Sequence, residues 1–145
     1  MPLTRDEDIK DLLASARTIA VFGCSDRPDR PSYGIAAFLQ GHGYRMLPVN
    51  PQITGERVHG EFVWRDLGQI GVPIDIVDIF RRPEAAADAV DQAIFVGAKA
   101  VWMQLGVIND EAAARAEAAG LKVVMDRCPH IEIPRLGVPR VPAEA

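Results

Sequence analysis

A run of β-branched and apolar residues, Thr18-Ile-Ala-Val-Phe22, stops abruptly at Gly23. Such a run reads as a buried strand. From Ser32 the pattern changes: Ile35, Ala36, Phe38 and Leu39 repeat at helical spacing, and Gly41 and Gly43 end the run. Strand, glycine turn and helix make the first unit of a doubly wound α/β fold. In that unit the turn and the first amides of the helix face the ligand and favour phosphate. The connecting loop is long and carries Arg27 and Arg30. It has the reach to wrap a polyanion larger than one pyrophosphate.

The rest of the chain repeats the alternation. Thr4 and Glu7 match a capping box, and Ile9, Leu12, Leu13 and Ala16 form one apolar stripe, so a short helix is expected before the first strand. Tyr44–Val49 reads as a second strand ending at Asn50-Pro51. Residues 52–71 carry little periodicity beyond a short strand and turn around Val58–Trp64. Ile74–Phe80 is the next strong strand, and Pro83 opens a helix that ends at Gly97. Ala100–Leu105 and Leu121–Met125 are further strands. Between them lies a helix capped by Asn109, with Asp110 and Glu111 in its first turn. The expectation is a Rossmann-like, mainly parallel sheet with helices on both faces, built from residues 1–133. Pro134, Pro139 and Pro142 predict an extended tail over residues 134–145.

Composition narrows the function classes. A chain of 145 residues, about half apolar and a quarter charged, suits one soluble domain. Its apolar runs are too short for a membrane helix, and its acidic start lacks a signal core. Cys24 and Cys128 make no disulfide framework, and no Cys/His spacing suggests zinc. The expected compartment is the cytoplasm. A net charge of −4 argues against nucleic acid as partner. A protein partner or a homo-oligomer stays open.

Parallel topology gathers the C-terminal ends of all strands on one edge, where ligands bind. That edge collects Gly23, Cys24, Ser25, Arg27 and Arg30, then Asn50 and Pro51, then Phe80, Arg81 and Arg82, then Gln104 and Gly106, and last Arg127 and Cys128. In an acidic protein, Arg27, Arg30, Arg81 and Arg82 near the switch point form a focused anion site. Arg81 and Arg82 oppose the dipole of the helix they precede, which favours a bound anion over a solvated helix start. Cys24 has two readings: a thiolate favoured by the helix start and arginines, or a small buried packing residue. His42 and His59 read as surface residues, and Trp64 and Trp102 as packing residues. The Cys128–His130 spacing is a poor fit to a nucleophile pair.

A dinucleotide fits the motif badly. The glycine fingerprint positions hold Gly23, Ser25 and Pro28, and Asn50 stands where a ribose-binding carboxylate belongs. The arginines suit a nucleotide with an extra phosphate, such as the 3′-phosphate of coenzyme A, or NADP. Six motifs occur in order: Val21-Phe-Gly-Cys-Ser25, Arg30-Pro-Ser32, Leu47-Pro-Val-Asn-Pro51, Val77-Asp-Ile-Phe-Arg81, Ala100–Gly106 and Asp126-Arg-Cys128. Together they resemble the stand-alone CoA-binding domain proteins, relatives of the N-terminal domain of the succinyl-CoA synthetase α subunit. The resemblance covers residues 15–132. It implies that Gly23, Cys24 and Ser25 form the phosphate turn, with Arg30 and Ser32 adding charge and a hydroxyl. It further implies Asn50 and Pro51 on the adenosine side, Phe80 and Arg81 on the other wall, and Gln104 and Gly106 toward the pantetheine arm. The synthetase's phosphorylated histidine has no counterpart here. The expected role is binding of CoA or an acyl-CoA with no catalytic residues of its own. The alternatives are an acyl-CoA-using enzyme and a nicotinamide- or flavin-binding redox protein.

Overall fold

The computed structural model describes residues 1–53 and 55–142. Its sheet consists of β1 (Thr18–Phe22), β2 (Arg45–Val49), β5 (Ile76–Ile79), β6 (Ala100–Met103) and β7 (Lys122–Val124). The order is β2-β1-β5-β6-β7, and every pairing is parallel. Between β2 and β5 a small antiparallel hairpin, β3 (Arg57–Val58) and β4 (Glu61–Phe62), fills the weakly periodic segment. This order places β2 and β5 on opposite sides of β1, so the direction of winding reverses between β1 and β5. That reversal is the topological switch point, and it opens a crevice at the strand ends.

The helices cover both faces. α1 (Asp6–Ser15), α2 (Pro31–Gly41) and α5 (Pro129–Leu136) lie on one side, and α3 (Ala86–Val96) and α4 (Asp110–Ala118) on the other. Alternation along β5 sends Val77 and Ile79 toward α3 and α4, and Ile76 toward α1, α2 and α5. Trp102, Phe22, Leu13 and Met103 are among the largest fully buried side chains. The alternating architecture expected from the sequence is the one found.

Two details depart from expectation. α1 starts at Asp6 with Arg5 at its N-cap, so Thr4 makes no cap, and Asp6, Glu7 and Asp8 meet the helix dipole instead. The expected extended tail is, in its first part, the helix α5. It runs through Pro134, which lacks the amide that would bond the His130 carbonyl. The loss of one bond is offset by burial of Ile133 and by Arg135, which bonds both Glu132 and Asp6. Beyond the helix, Val138 is buried and the Val141 amide bonds the His42 carbonyl. Residues 143–145 lie outside the described residues.

Candidate functional site

The site begins with a residue that has no side chain. Gly23 has φ of +89°, and a Cβ there would stand 2.3 Å from the Phe80 carbonyl oxygen. The ends of β1 and β5 thus approach more closely than any other residue type allows. The Gly23 and Cys24 amides both donate to the Val49 carbonyl, at 2.7 and 3.2 Å, which ties the turn to β2 as well.

Beyond the turn, side chains expected to meet a ligand are occupied with shaping the loop. The Ser32 hydroxyl accepts from the Ser25 amide at 2.9 Å, and the Ser25 hydroxyl accepts from the Arg27 amide at 3.0 Å. Asn50 is buried; its amide donates to the Cys24 carbonyl at 3.0 Å and its oxygen accepts from the Gln52 amide at 2.9 Å. It cross-links the loops after β1 and β2. These bonds hold the loop in one shape before any ligand arrives.

Charge is arranged in the opposite spirit. α2 opens with Arg30 at its N-cap and Pro31 next, without a side-chain cap bond and without an acidic residue in its first turn. The positive end of this helix is therefore unneutralised. Arg27 has a partner in Asp29 at 3.5 Å, both exposed. Among the described residues, no carboxylate comes within 4 Å of a side-chain nitrogen of Arg30, Arg81 or Arg82. The Arg81 stem lies across the turn, its Cδ 3.2 Å from where a Gly23 Cβ would be.

These residues enclose a cleft of about 1000 Å³ over the switch point. That is the upper end of the range for small-molecule sites. Gly23, Ser25, Arg30, Ser32 and Asn50 line it from β1, α2 and β2, and Phe80, Arg81 and Gln104 from β5 and β6. Three expected members fall outside the wall. Cys24 is fully buried under it, Pro51 is exposed beside it, and the Gly106 amide donates to Asp126 at 2.8 Å. Leu105 and Val107, the neighbours of Gly106, line the cleft in its place, as do Ile35, Ile53 and Cys128. Arg127, at the same edge, is held by Glu132 at 2.7 Å and is not a free cation.

The thiolate reading of Cys24 does not survive. Burial pushes its thiol up to about 12, and the charges of Asp78 and Asp26 add to that. Cys24 packs among Val21, Ala36 and Trp102 as a small apolar residue. His130 is no partner for Cys128: its ring is stacked on Phe38 at 4.1 Å, and it is exposed. His59 is half-buried, with its ring nitrogen 2.7 Å from the Tyr33 carbonyl.

Asp78, an acid within the strand Ile74–Phe80, is the most unusual group near the cleft. It is fully buried in β5; Gln104 donates to one oxygen at 2.8 Å, and among the described residues the other has no partner. Burial pushes its pKa up to about 7 against the bond from Gln104. A carboxylate in an otherwise apolar central strand was the available signal.

The fold and the cleft define a doubly wound α/β domain with an arginine-lined crevice at its switch point. Within that class, the family model for the CoA binding domain matches residues 17–134, and the chain belongs to this family. The YneT protein of Bacillus subtilis (strain 168) is 38% identical over 121 residues, 83% of this chain and 88% of YneT. A hypothetical protein from Pyrococcus horikoshii OT3 superposes with a TM-score of 0.88 at 38% identity, over 94% of this chain and 96% of that one. A protein from Thermus thermophilus does so with a TM-score of 0.87 at 37% identity, over 92% and 99%.

Proposed function

We propose that the protein binds coenzyme A, free or acylated, along this cleft and serves as a binding module for it in the cytoplasm. The observation that carries the reading is the start of α2: an uncapped helix N-terminus over a glycine turn, with Arg30 and Arg81 beside it. Phosphate oxygens supply the acceptors and the negative charge that such a start lacks. Arg30, Arg81 and Arg82 exceed what one pyrophosphate needs, which fits the additional 3′-phosphate of CoA. The adenosine would lie toward Asn50, and the pantetheine arm toward Gln104 and Leu105. Asn50 has its side chain committed to the loops and carries no carboxylate for a ribose, which disfavours NAD.

Thermal shift with CoA, acetyl-CoA, dephospho-CoA, NAD, NADP and FAD tests this. A ligand of the native state raises the melting temperature with its occupancy. CoA should stabilise most, dephospho-CoA less, and NAD little. A larger shift with NAD than with CoA at equal concentration overturns the reading. Equal shifts with CoA and dephospho-CoA remove the 3′-phosphate from it.

A further inference from the structure

Only one of the two thiols reaches the cleft. Cys24 is fully buried, whereas Cys128 lines the cleft wall with 7% of its surface exposed. The backbone around Cys128 is fixed from several sides. Asp126, with φ of +60°, accepts from the Gly106 amide; the Arg127 carbonyl accepts from the Trp102 indole at 2.8 Å; and α5 begins at Pro129. The sulfur therefore sits at one defined place, at the β6–β7 end of the crevice.

A second feature marks the same end. Asp78 stands beside Trp102 in the sheet register, and Gln104, which lines the cleft, holds one of its oxygens. The other oxygen is buried without a partner. A strand interior keeps such a group at a cost in stability, so its retention asks for a use. Its charge is felt at both thiols. Burial first, and then Asp78 and Glu132, hold the Cys128 thiol above its ordinary range, while the His130 and Ile131 amides at the start of α5 pull the other way.

We propose that Cys128 is a thiol-exchange site for the sulfur end of the ligand, accepting half of a CoA-type disulfide held in the cleft. The inference rests on the CoA-binding reading, because the cleft must deliver the disulfide to a sulfur that bulk solvent barely touches. Cys128 first loses its proton to water or buffer base. The thiolate attacks one sulfur of the disulfide, a Cys128–S–S–CoA bond forms, and the original S–S bond breaks. The other half leaves as a thiolate and takes up a proton. The Cys128 sulfur is oxidised and the departing sulfur reduced, so no other oxidant is needed. A bulk disulfide lacks the anionic handle and meets a nearly closed wall. Asp78 is a positioning residue here: burial does most to keep the Cys128 thiol protonated, the Asp78 charge adds to it, and removing that charge should favour the thiolate.

The test is intact mass after incubation of the reduced protein with CoA disulfide near pH 8, with glutathione disulfide at the same concentration in parallel. One adduct is expected, with the mass of one CoA less the two hydrogens lost in the bond. It should map to Cys128 by peptide analysis, persist in Cys24→Ala, vanish in Cys128→Ala and reverse with a reducing thiol. The CoA reaction should outpace the glutathione reaction by about tenfold or more, because binding raises the local concentration of the disulfide. Adenosine 3′,5′-bisphosphate, which has the phosphates and no sulfur, should slow it. Asp78→Asn should speed it and move its pH profile to lower pH, a change that a purely structural role would not produce. Reduced CoA is titrated separately by calorimetry. CoA binding without an adduct, an adduct on Cys24, or equal rates with the two disulfides overturns the inference and leaves the binding reading standing. Absence of both CoA binding and adduct overturns both.

Discussion

Asp75 and Asp78 belong to the same strand segment, and the chain around them handles charge in opposite ways. Asp75 stands just before β5, at the edge where strands begin. One oxygen accepts from the Arg17 and Thr18 amides at 2.8 and 3.0 Å, and Lys99 pairs with the other at 3.2 Å. Burial raises its pKa, but those bonds outweigh it and leave the carboxyl below its usual range. Asp78, inside the strand and toward the cleft, has one bond and one empty oxygen, and is pushed up. The arginines repeat the contrast. Arg115, away from the cleft, pairs with Asp91 and Glu111, while Arg30 and Arg81 line the crevice, together with Asp26 and Glu84, without an ion pair of their own among the described residues. The carboxylates carry the lesson: Asp75 is satisfied where the strand begins and Asp78 keeps an unpaired oxygen near the cleft, whereas Arg115, paired through its terminal nitrogens, also leaves its buried Nε without a partner among the described residues.

The sharpest way to break that contrast uses two glycines. Gly23→Ala puts a methyl against the Phe80 carbonyl and should cost more than about 4 kcal/mol, or abolish the cooperative melt. Gly120, at the opposite edge, has φ of +91° with nothing within 4 Å of a Cβ. Gly120→Ala should cost only about 1 kcal/mol, the price of the backbone conformation alone. Denaturant titration of the two variants decides, and similar losses would mean that the close approach of β1 and β5 is not what Gly23 serves.

The aspartates give the next effect, and its sign depends on pH. Below about pH 4 Asp78 is protonated in both the folded and the unfolded chain. Between about 4 and 7 the unfolded chain ionises while the fold holds the proton. Stability therefore falls through that window by about 1.4 kcal/mol per pH unit, toward about 4 kcal/mol, and is level above it. Asp78→Asn removes the slope, so the stability difference between the variant and the wild type should grow in the variant's favour from pH 4 to 7. Asp75→Asn should behave oppositely. Its carboxylate contributes stability above the ordinary Asp range, which is lost as pH falls through its depressed pKa. Urea melts across pH 3.5–8 read both, and parallel curves for the Asp78 pair would show that the buried acid is not held protonated.

Ligand affinity separates the arginines. Arg81→Ala or Arg30→Ala should weaken CoA binding by about 1–3 kcal/mol, the worth of a charge-assisted hydrogen bond, with little change in melting temperature. Arg115→Ala should leave binding alone. The smallest effect is the most telling. Arg30→Asp supplies the cap that α2 lacks, so the free protein should gain about 0.5–1 kcal/mol while CoA binding falls. A variant that binds as well as the wild type would remove the helix start from the site.

Much of this was legible in the residues. Strand-glycine-helix alternation is set by local periodicity, and parallel topology then forces the edge residues together, so Gly23, Ser25, Arg30 and Arg81 could be placed by counting. Hydrogen-bond partners could not. Ser32 and Asn50 look like ligand groups in sequence, yet their polar atoms close on backbone seven residues away for Ser32, and two residues or a strand away for Asn50, a matter of loop path rather than of composition. The helix through Pro134 was hidden because local propensity argues against it. Packing of Ile133 and the Arg135 network with Glu132 and Asp6, whose carboxylate lies at the other end of the chain, supply what local propensity does not.

The two tryptophans turn the cleft into its own reporter. Trp102 is sealed in the sheet with its indole nitrogen bonded to the Arg127 carbonyl, one residue from Cys128, and Trp64 is only partly covered at the β2 edge. A dry, hydrogen-bonded indole emits to the blue of a hydrated one, so Trp64→Phe isolates the fluorophore beside Arg127 and Cys128, and Trp102→Phe the one beside Asn50. Neither indole lines the cleft, so a change in either colour on adding a ligand would report a shift passed through Asn50 or through Arg127.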